Sequence, residues 1–325
     1  MVIVTEDLSK YFNDFAAVNG INIEVAEREI FGFLGPNGAG KTTTIKMLCT
    51  LMRPSEGRAE VAGYDISKNP FLVRKNIGLV FQEPTLDENL TAYENLYFHG
   101  MIYGLTGKKL RHRIEEVMAL SSLWNRRDDL VKTFSGGMKR RLEISRGLIH
   151  FPVLLFLDEP TVGLDPQTRM HVWEYIKQMR EELGVSVFMT THYMDEAEHC
   201  DRISIIDQGD IIACDSPFNL KRSLKGELIK IHTSDKMNLG RLLEDKLGLN
   251  PQIMAEGIVL EVENAEAMLP RIVNFVDLSS VKQISFEKPT LDDVFIKFTG
   301  KAIREEEGSS QDFWKERVSM HRRSK

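Results

Sequence analysis

Cysteine is scarce. Cys49, Cys200 and Cys214 are the three in 325 residues, widely spaced and without a Cys-x-x-Cys pair. That fits reduced thiols better than a disulfide framework or a zinc site. Long apolar runs are missing too, since none approaches the ~18 residues a bilayer-spanning helix needs. Met1–Lys10 has no basic segment leading into an apolar core, so a secretory leader is not expected. Basic charge is not in excess: 42 Lys plus Arg against 48 Asp plus Glu give a formal net charge of −6. This disfavours a broad nucleic-acid footprint, and no nucleic-acid partner is expected. Internal repeats and low-complexity tracts are also lacking. These absences suit a cytoplasmic protein, which would act at a membrane only if a partner held it there.

What is present is an ample supply of core residues, 42% of the chain, over a length that suggests two domains or one with an appendage. Ile30–Leu34, Ile77–Phe81, Val153–Asp158 and Ser186–Thr190 are apolar runs of strand length. They read as central strands covered on both faces, the mark of an α/β sheet. Thr91-x-x-Glu94 is a capping-box pattern, and Asp165-Pro166 offers an N-cap with proline at the first helical position. Asp207–Asp210, between Ile203–Ile206 and Ile211–Ala213, reads as a hairpin turn. After Ser216-Pro217 the pattern changes to strand (Glu227–Thr233), helix (Asn238–Leu247), strand (Gly257–Val262), helix (Ala265–Phe275), strand (Ser280–Phe286). A last helix starts at Thr290, with Asp293 at cap spacing. The division predicted is a first domain over 1–217, a small α+β accessory domain over 218–300 and a charged, fraying tail over 301–325.

Gly35-Pro36-Asn37-Gly38-Ala39-Gly40-Lys41-Thr42-Thr43 follows the strand Ile30–Leu34 and opens a helical run. It matches G-x-x-x-x-G-K-[ST] in the strand–loop–helix context that gives the motif meaning. Glycines let backbone N–H groups converge on phosphates, and the helix adds the positive end of its dipole. Lys41 is placed to meet the β- and γ-phosphates and Thr42 to offer its hydroxyl to Mg²⁺. The apolar run Val153–Leu157 ends in Asp158-Glu159-Pro160. That puts Asp158 beside the cradle as a second Mg²⁺ ligand, with Glu159 next to it as a general base for an attacking water. Ser135-Gly136-Gly137 opens a basic amphipathic helix and forms a second anion-binding helix N-terminus. A nucleotide seated on the first loop has no evident use for it within one subunit.

The ordered set resembles the nucleotide-binding subunit of an ATP-binding cassette (ABC) transporter, over Val2 to about Pro217. The resemblance implies a P-loop α/β cassette with an antiparallel β portion near the N-terminus and a helical lobe around Thr91–His150. It also implies ATP and Mg²⁺ as ligands, and ATP hydrolysis. Ser135, Gly136 and Gly137 would reach across a head-to-tail homodimer, or a paired cassette subunit, to the γ-phosphate on the partner's Lys41 loop. Phe12, 29 residues before Lys41, matches the aromatic that stacks on adenine, with Tyr11 as the alternative. Gln82 resembles the glutamine that touches Mg²⁺ and water, on a loop facing the membrane partner. Asp165, in Gly163-Leu164-Asp165, resembles the residue of the loop between the two ATP sites, besides serving as N-cap. His192 resembles the switch histidine that senses the γ-phosphate. Phe134 and Met138 stand where leucine and glutamine are commoner in the signature.

One phosphate loop, one acidic strand and one signature exclude two cassettes on this chain, so the transmembrane permease would be a separate polypeptide. The Gln82–Thr91 stretch and Lys288-Pro289-Thr290-Leu291-Asp292-Asp293-Val294-Phe295 resemble the daunorubicin-resistance group of exporter ATPases. That implies coupling of ATP-driven closure to export of a drug, lipid or similar hydrophobic substrate, at the cytoplasmic face of the cell membrane. The readings against which this stands are a soluble ATP-gated clamp or assembly factor, and a P-loop kinase, which leaves Ser135-Gly136-Gly137 unexplained.

Overall fold

The computed structural model describes residues 1–299 except 14, 225, 234, 255–256, 263 and 275–280. The charged tail expected over 301–325 lies outside the described residues. Strands β1 (Ile3–Phe12), β2 (Phe15–Ile21) and β3 (Glu24–Val25) precede β4 (Ile30–Leu34) and helix α1 (Lys41–Leu48). Then come β5 (Glu56–Val61), β6 (Tyr64–Asp65), α2 (Pro70–Asn76), β7 (Ile77–Val80), α3 (Ala92–Ile102), α4 (Gly107–Leu120) and α5 (Gly136–Leu148). β8 (Leu154–Asp158), α6 (Pro166–Leu183), β9 (Ser186–Thr191), α7 (Met194–Ala197), β10 (Arg202–Asp207), β11 (Asp210–Asp215) and α8 (Pro217–Ser223) follow. The chain continues with β12 (Glu227–Thr233), α9 (Lys236–Leu247), β13 (Gln252–Ile253), β14 (Gly257–Val262), α10 (Ala265–Val273), β15 (Val281–Glu287) and α11 (Leu291–Thr299).

The central sheet runs β11-β10-β4-β9-β8-β7, parallel throughout except for the β10–β11 hairpin. β4, β8 and β9 at its centre are buried at every position because successive side chains point to opposite faces and both faces are covered. Ile30 and Leu34 of β4, Leu155 and Leu157 of β8, and Val187 and Met189 of β9 enter one core with the helical lobe and α6. Phe31, Phe33, Phe156 and Phe188 enter the other, against α1 and the antiparallel sheet β2-β1-β5-β6 with β3 beside β1. There the Phe31 and Phe188 rings stack with centroids 5.6 Å apart, and Phe33 and Phe156 each lie 5.5 Å from Phe188. Such pairs add about 0.5–1.5 kcal/mol each beyond simple burial.

The helix signals hold where they were read. Thr91 and Glu94 form a reciprocal capping box on α3, and Asp165 accepts the Thr168 N–H at 3.0 Å ahead of Pro166. Thr290 and Asp293 cap α11 in the same way. The antiparallel sheet β13-β14-β12-β15 is the one predicted beyond residue 217, and Ile229, Ile231, Leu243, Leu260 and Ile272 give it its own core. Two helices of that region pack elsewhere. Leu220 of α8 and Leu291, Val294 and Phe295 of α11 are buried in the core of the central sheet beside Met194 and Ala197. All three cysteines are free, with Cys49 and Cys200 buried. Among the described residues no helix is long and apolar enough to cross a membrane.

Candidate functional site

Strand register decides what meets at the edge of the central sheet. Leu34 pairs with Thr191, Asp158 with Thr190 and Val80 with Leu157. The chain therefore leaves β4 into the Gly35 loop, β8 into Glu159, β9 into His192 and β7 towards Gln82, all at one edge. Ligands of open parallel sheets bind outside these carboxyl ends. A cleft of about 680 Å³ lies there, lined by Phe12, Pro36, Asn37, Gly38, Gly40, Lys41, Thr42, Thr43, Gln82, Glu159 and His192, together with Phe15, Ala17 and Val162.

The loop is shaped by steric necessity. Gly40 sits at φ 109°, and a Cβ there would stand 2.4 Å from the Ala17 carbonyl oxygen, so only glycine fits. The Lys41 ammonium donates to the carbonyls of Gly35 (2.7 Å) and Pro36 (3.1 Å) and lies 3.5 Å from Glu159 Oε1. Burial pulls the Lys41 pKa down, and the Glu159 carboxylate opposes that shift. Glu159 also meets His192, whose Nδ1 is 3.1 Å from the same Oε1. Contact with the imidazole, supported by Lys41, holds the Glu159 carboxyl below the usual glutamate range against the upward push of burial. Its backbone is left-handed, at φ 47°. Its N–H donates to the Thr190 Oγ1 at 3.1 Å, which fixes the turn.

Asp158 faces the loop from β8. Its Oδ1 accepts the Thr190 hydroxyl at 2.5 Å, and its Oδ2 lies 3.4 Å from Thr42 Oγ1. Two hard oxygen donors thus come together at the loop. Among the described residues there is no group of three or more His, Cys, Asp or Glu side chains able to hold a metal ion.

Not every anticipated residue reaches the cleft. Gly35 and Ala39 are buried in the loop's base, and Asp158 lies behind Thr42, outside the cleft lining. Ser135 and Gly136 are exposed, and Asp165 is occupied as a helix cap. Ser135 caps α5, its hydroxyl accepting the Met138 N–H at 3.3 Å. Sequence reasoning missed Phe15 and Thr190. Phe15 pairs with Phe12 across the β1–β2 hairpin, so both rings flank the cleft mouth. The Thr190-Thr191 pair ahead of His192 was the available sign of a hydroxyl beside the acidic strand.

A profile described as ABC transporter matches residues 18–162. The chain is 38% identical to the linearmycin resistance ATP-binding protein of Bacillus subtilis (strain 168), over 92% of this chain and 99% of that one. It is also 38% identical to the daunorubicin/doxorubicin resistance ATP-binding protein of Streptomyces peucetius, over 92% of each chain. A solved dimeric ATP-binding cassette bound to ADP and Pi superimposes with a TM-score of 0.59, at 25% identity, over 66% of this chain and 98% of that one. With a phosphate loop, an acidic strand end and a histidine gathered at one sheet edge, the chain belongs to the ATP-hydrolysing, ATP-binding subunits of the ABC transporters.

Proposed function

We propose that this chain powers an exporter of drugs, lipids or similar hydrophobic molecules by closing, as a homodimer or with a related cassette subunit, on two Mg-ATP molecules. A separate transmembrane permease would hold it at the cytoplasmic face of the cell membrane and carry the substrate. The observation that bears most weight is the convergence of Lys41, Glu159 and His192 over the phosphate loop, at 3.5 and 3.1 Å from one carboxylate oxygen. Phe12, with Phe15 beside it, offers a face for adenine. Backbone N–H groups of Gly38–Thr43 and the N-terminus of α1 suit the phosphates.

The donors fit Mg²⁺: Thr42, Asp158 and Gln82 supply oxygen only, and so few protein ligands suit an ion that arrives with the triphosphate. When bound, the ion neutralises charge on the β- and γ-phosphates. Glu159, ionised at neutral pH, orients the attacking water and accepts its proton, giving ADP and phosphate from ATP. Lys41 stabilises charge on the γ-phosphoryl group, and His192 steadies Glu159. Ser135, Gly136 and Gly137 support the dimer because they form the head of α5 outside the chain's own cleft, Ser135 and Gly136 exposed and Gly137 buried behind them. Asp165 would lie near the seam between the two sites. Phosphate release would reopen the dimer.

An apolar surface supports a membrane partner. Phe98, Met101 and Ile102 of α3 are exposed, Ile102 to 80%. Tyr103 stacks on His150 at 3.8 Å, and the His150 Nε2–H donates to the Ile77 carbonyl at the start of β7, the strand that leads to Gln82. The names of the two resistance relatives motivate the export direction and the substrate class. We further take 1–217 as the cassette and the sheet beyond it as a dimerisation or regulatory element. The test is a mild-detergent pull-down of tagged Glu159→Gln protein from native membranes, with and without Mg-ATP. Recovery of a multi-spanning protein in about equal amount supports the reading. An ATP-dependent dimer that brings down no membrane protein would replace it with a soluble clamp.

A further inference from the structure

Arg140 lies one turn into α5 and is 6% exposed. Its guanidinium is shared between two segments far apart in sequence. Nε donates to the Pro160 carbonyl at 2.6 Å, and Nη2 to those of Asp158 (3.1 Å) and Glu159 (3.3 Å). Nη1 donates to the Phe81 carbonyl at 2.5 Å, immediately before Gln82. Nη1 also lies 3.2 Å from Oε2 of Glu143, one turn further along α5. Glu143 is 2% exposed, and its Oε1 accepts the Thr85 N–H at 2.7 Å. Arg146 closes the far side, donating to the Thr85 carbonyl at 2.7 Å.

We propose that Arg140, with Glu143, is a positioning pair that couples the Gln82 loop to the turn carrying Asp158 and Glu159. The proposal rests on the assignment of Glu159 and Gln82 to hydrolysis made above. Three consecutive carbonyls, at 158, 159 and 160, face one cation because the left-handed Glu159 turns the chain out of the β8 ladder. A planar fork of five N–H donors can satisfy these and Phe81 together, which a lysine's single nitrogen cannot. A shift of the Gln82 loop therefore pulls on the same guanidinium that holds the Glu159 main chain, from which its carboxylate projects. A helix that carries the signature at its head thus also ties together both sides of its own cleft. An arginine that merely satisfied the end of β8 would have no need of Phe81 or of Glu143.

The test uses the purified full chain and two variants. Arg140→Lys keeps the charge and loses the fork. Its kcat is expected to fall about a hundredfold, the scale of a misplaced catalytic group, with the KM for ATP within about threefold. Unchanged kcat, or a loss appearing in KM alone, overturns the proposal. Glu143→Ala removes the acceptor of the Thr85 amide and leaves the carbonyl contacts of Arg140 in place. Amide hydrogen exchange is expected to quicken in residues 82–86 and, through Arg140, in 159–162 as well. Faster exchange confined to 82–86 overturns the coupling, and this arm decides even if Arg140→Lys does not fold. Glu159→Gln run alongside separates the two levels. If it retains full turnover, the assignment of Glu159 fails, whatever the Arg140 variant does.

Discussion

Glu159 and His192 meet at 3.1 Å, Oε1 to Nδ1, although they leave different strands of the central sheet. The pairing follows from register, since Asp158 lies opposite Thr190 and each chain turns outward at its next residues. Because Lys41 approaches the same oxygen at 3.5 Å, the carboxylate is held between the phosphate loop and the β9 exit. It is fixed in place and kept ionised by the same contacts.

Replacing Glu159 with Gln keeps the side chain's size and removes its charge and basicity. Phosphate release is expected to fall by at least about a hundredfold, the usual range for a general base. Fluorescent-nucleotide titration should show ATP affinity within about threefold of the parent, since uniform binding is not what the residue supplies. Turnover equal to the parent's would remove Glu159 from the chemistry.

Lys41→Ala should differ in kind. It deletes a charged donor proposed to face the phosphates, and hydrogen bonds to charged groups contribute about 1.5–3 kcal/mol each. ATP binding itself is therefore expected to weaken by roughly tenfold to a hundredfold in the same titration. Tight binding with slow turnover would move Lys41 from holding the nucleotide to acting only in hydrolysis.

The parts legible in the sequence were those where local pattern and tertiary structure agree. Ile30–Leu34, Glu227–Thr233 and Gly257–Val262 are strands with the bounds read from the chain, because an apolar or alternating run ends there at glycine or polar residues. The phosphate loop was legible because its glycines, lysine and hydroxyls are contiguous. Arg140 was not: it looked like one of several basic residues on an amphipathic helix, and nothing local shows that its partners are Phe81 and Pro160. The docking of α11 was hidden for the same reason. Its periodicity marks Leu291, Val294 and Phe295 as a buried face but does not say that the cassette covers it.

Glu196, in α7 just beyond His192, is 1% exposed, and its Oε1 has no hydrogen-bond partner. Burial pushes its pKa up to about 7 from an ordinary 4.5. The sign follows from which state ionises first. Between pH 4.5 and 7 the unfolded chain releases this proton while the native chain keeps it, so stability falls as pH rises and levels off above 7. The full effect is on the order of 3 kcal/mol. Glu196→Gln removes this slope. Melting temperatures at pH 5 and pH 8 should show the variant gaining on the parent as pH rises, and a constant difference would show that Glu196 ionises normally.

The two signature glycines should prove unequal. A Cβ on Gly136 would meet Leu164 Cδ2 at 3.3 Å, whereas one on Gly137 would stand 2.1 Å from Thr168 Cγ2, where α5 crosses the first turn of α6. Gly137→Ala therefore forces the helices apart or turns the threonine out of its rotamer, an overpacking cost of about 1–3 kcal/mol. A lower melting temperature by several degrees is expected. Gly136→Ala, at an exposed position, should melt like the parent and lose only ATP-dependent dimerisation, read by light scattering in the Glu159→Gln background. Adding Thr168→Ser to Gly137→Ala deletes the offending methyl and keeps the backbone N–H that Asp165 caps. The double variant should recover the melting temperature without recovering dimerisation. Were dimerisation to return with stability, Gly137 would be needed for the seat of α5 on α6, and only Ser135 and Gly136 would remain as the contact to a partner's ATP.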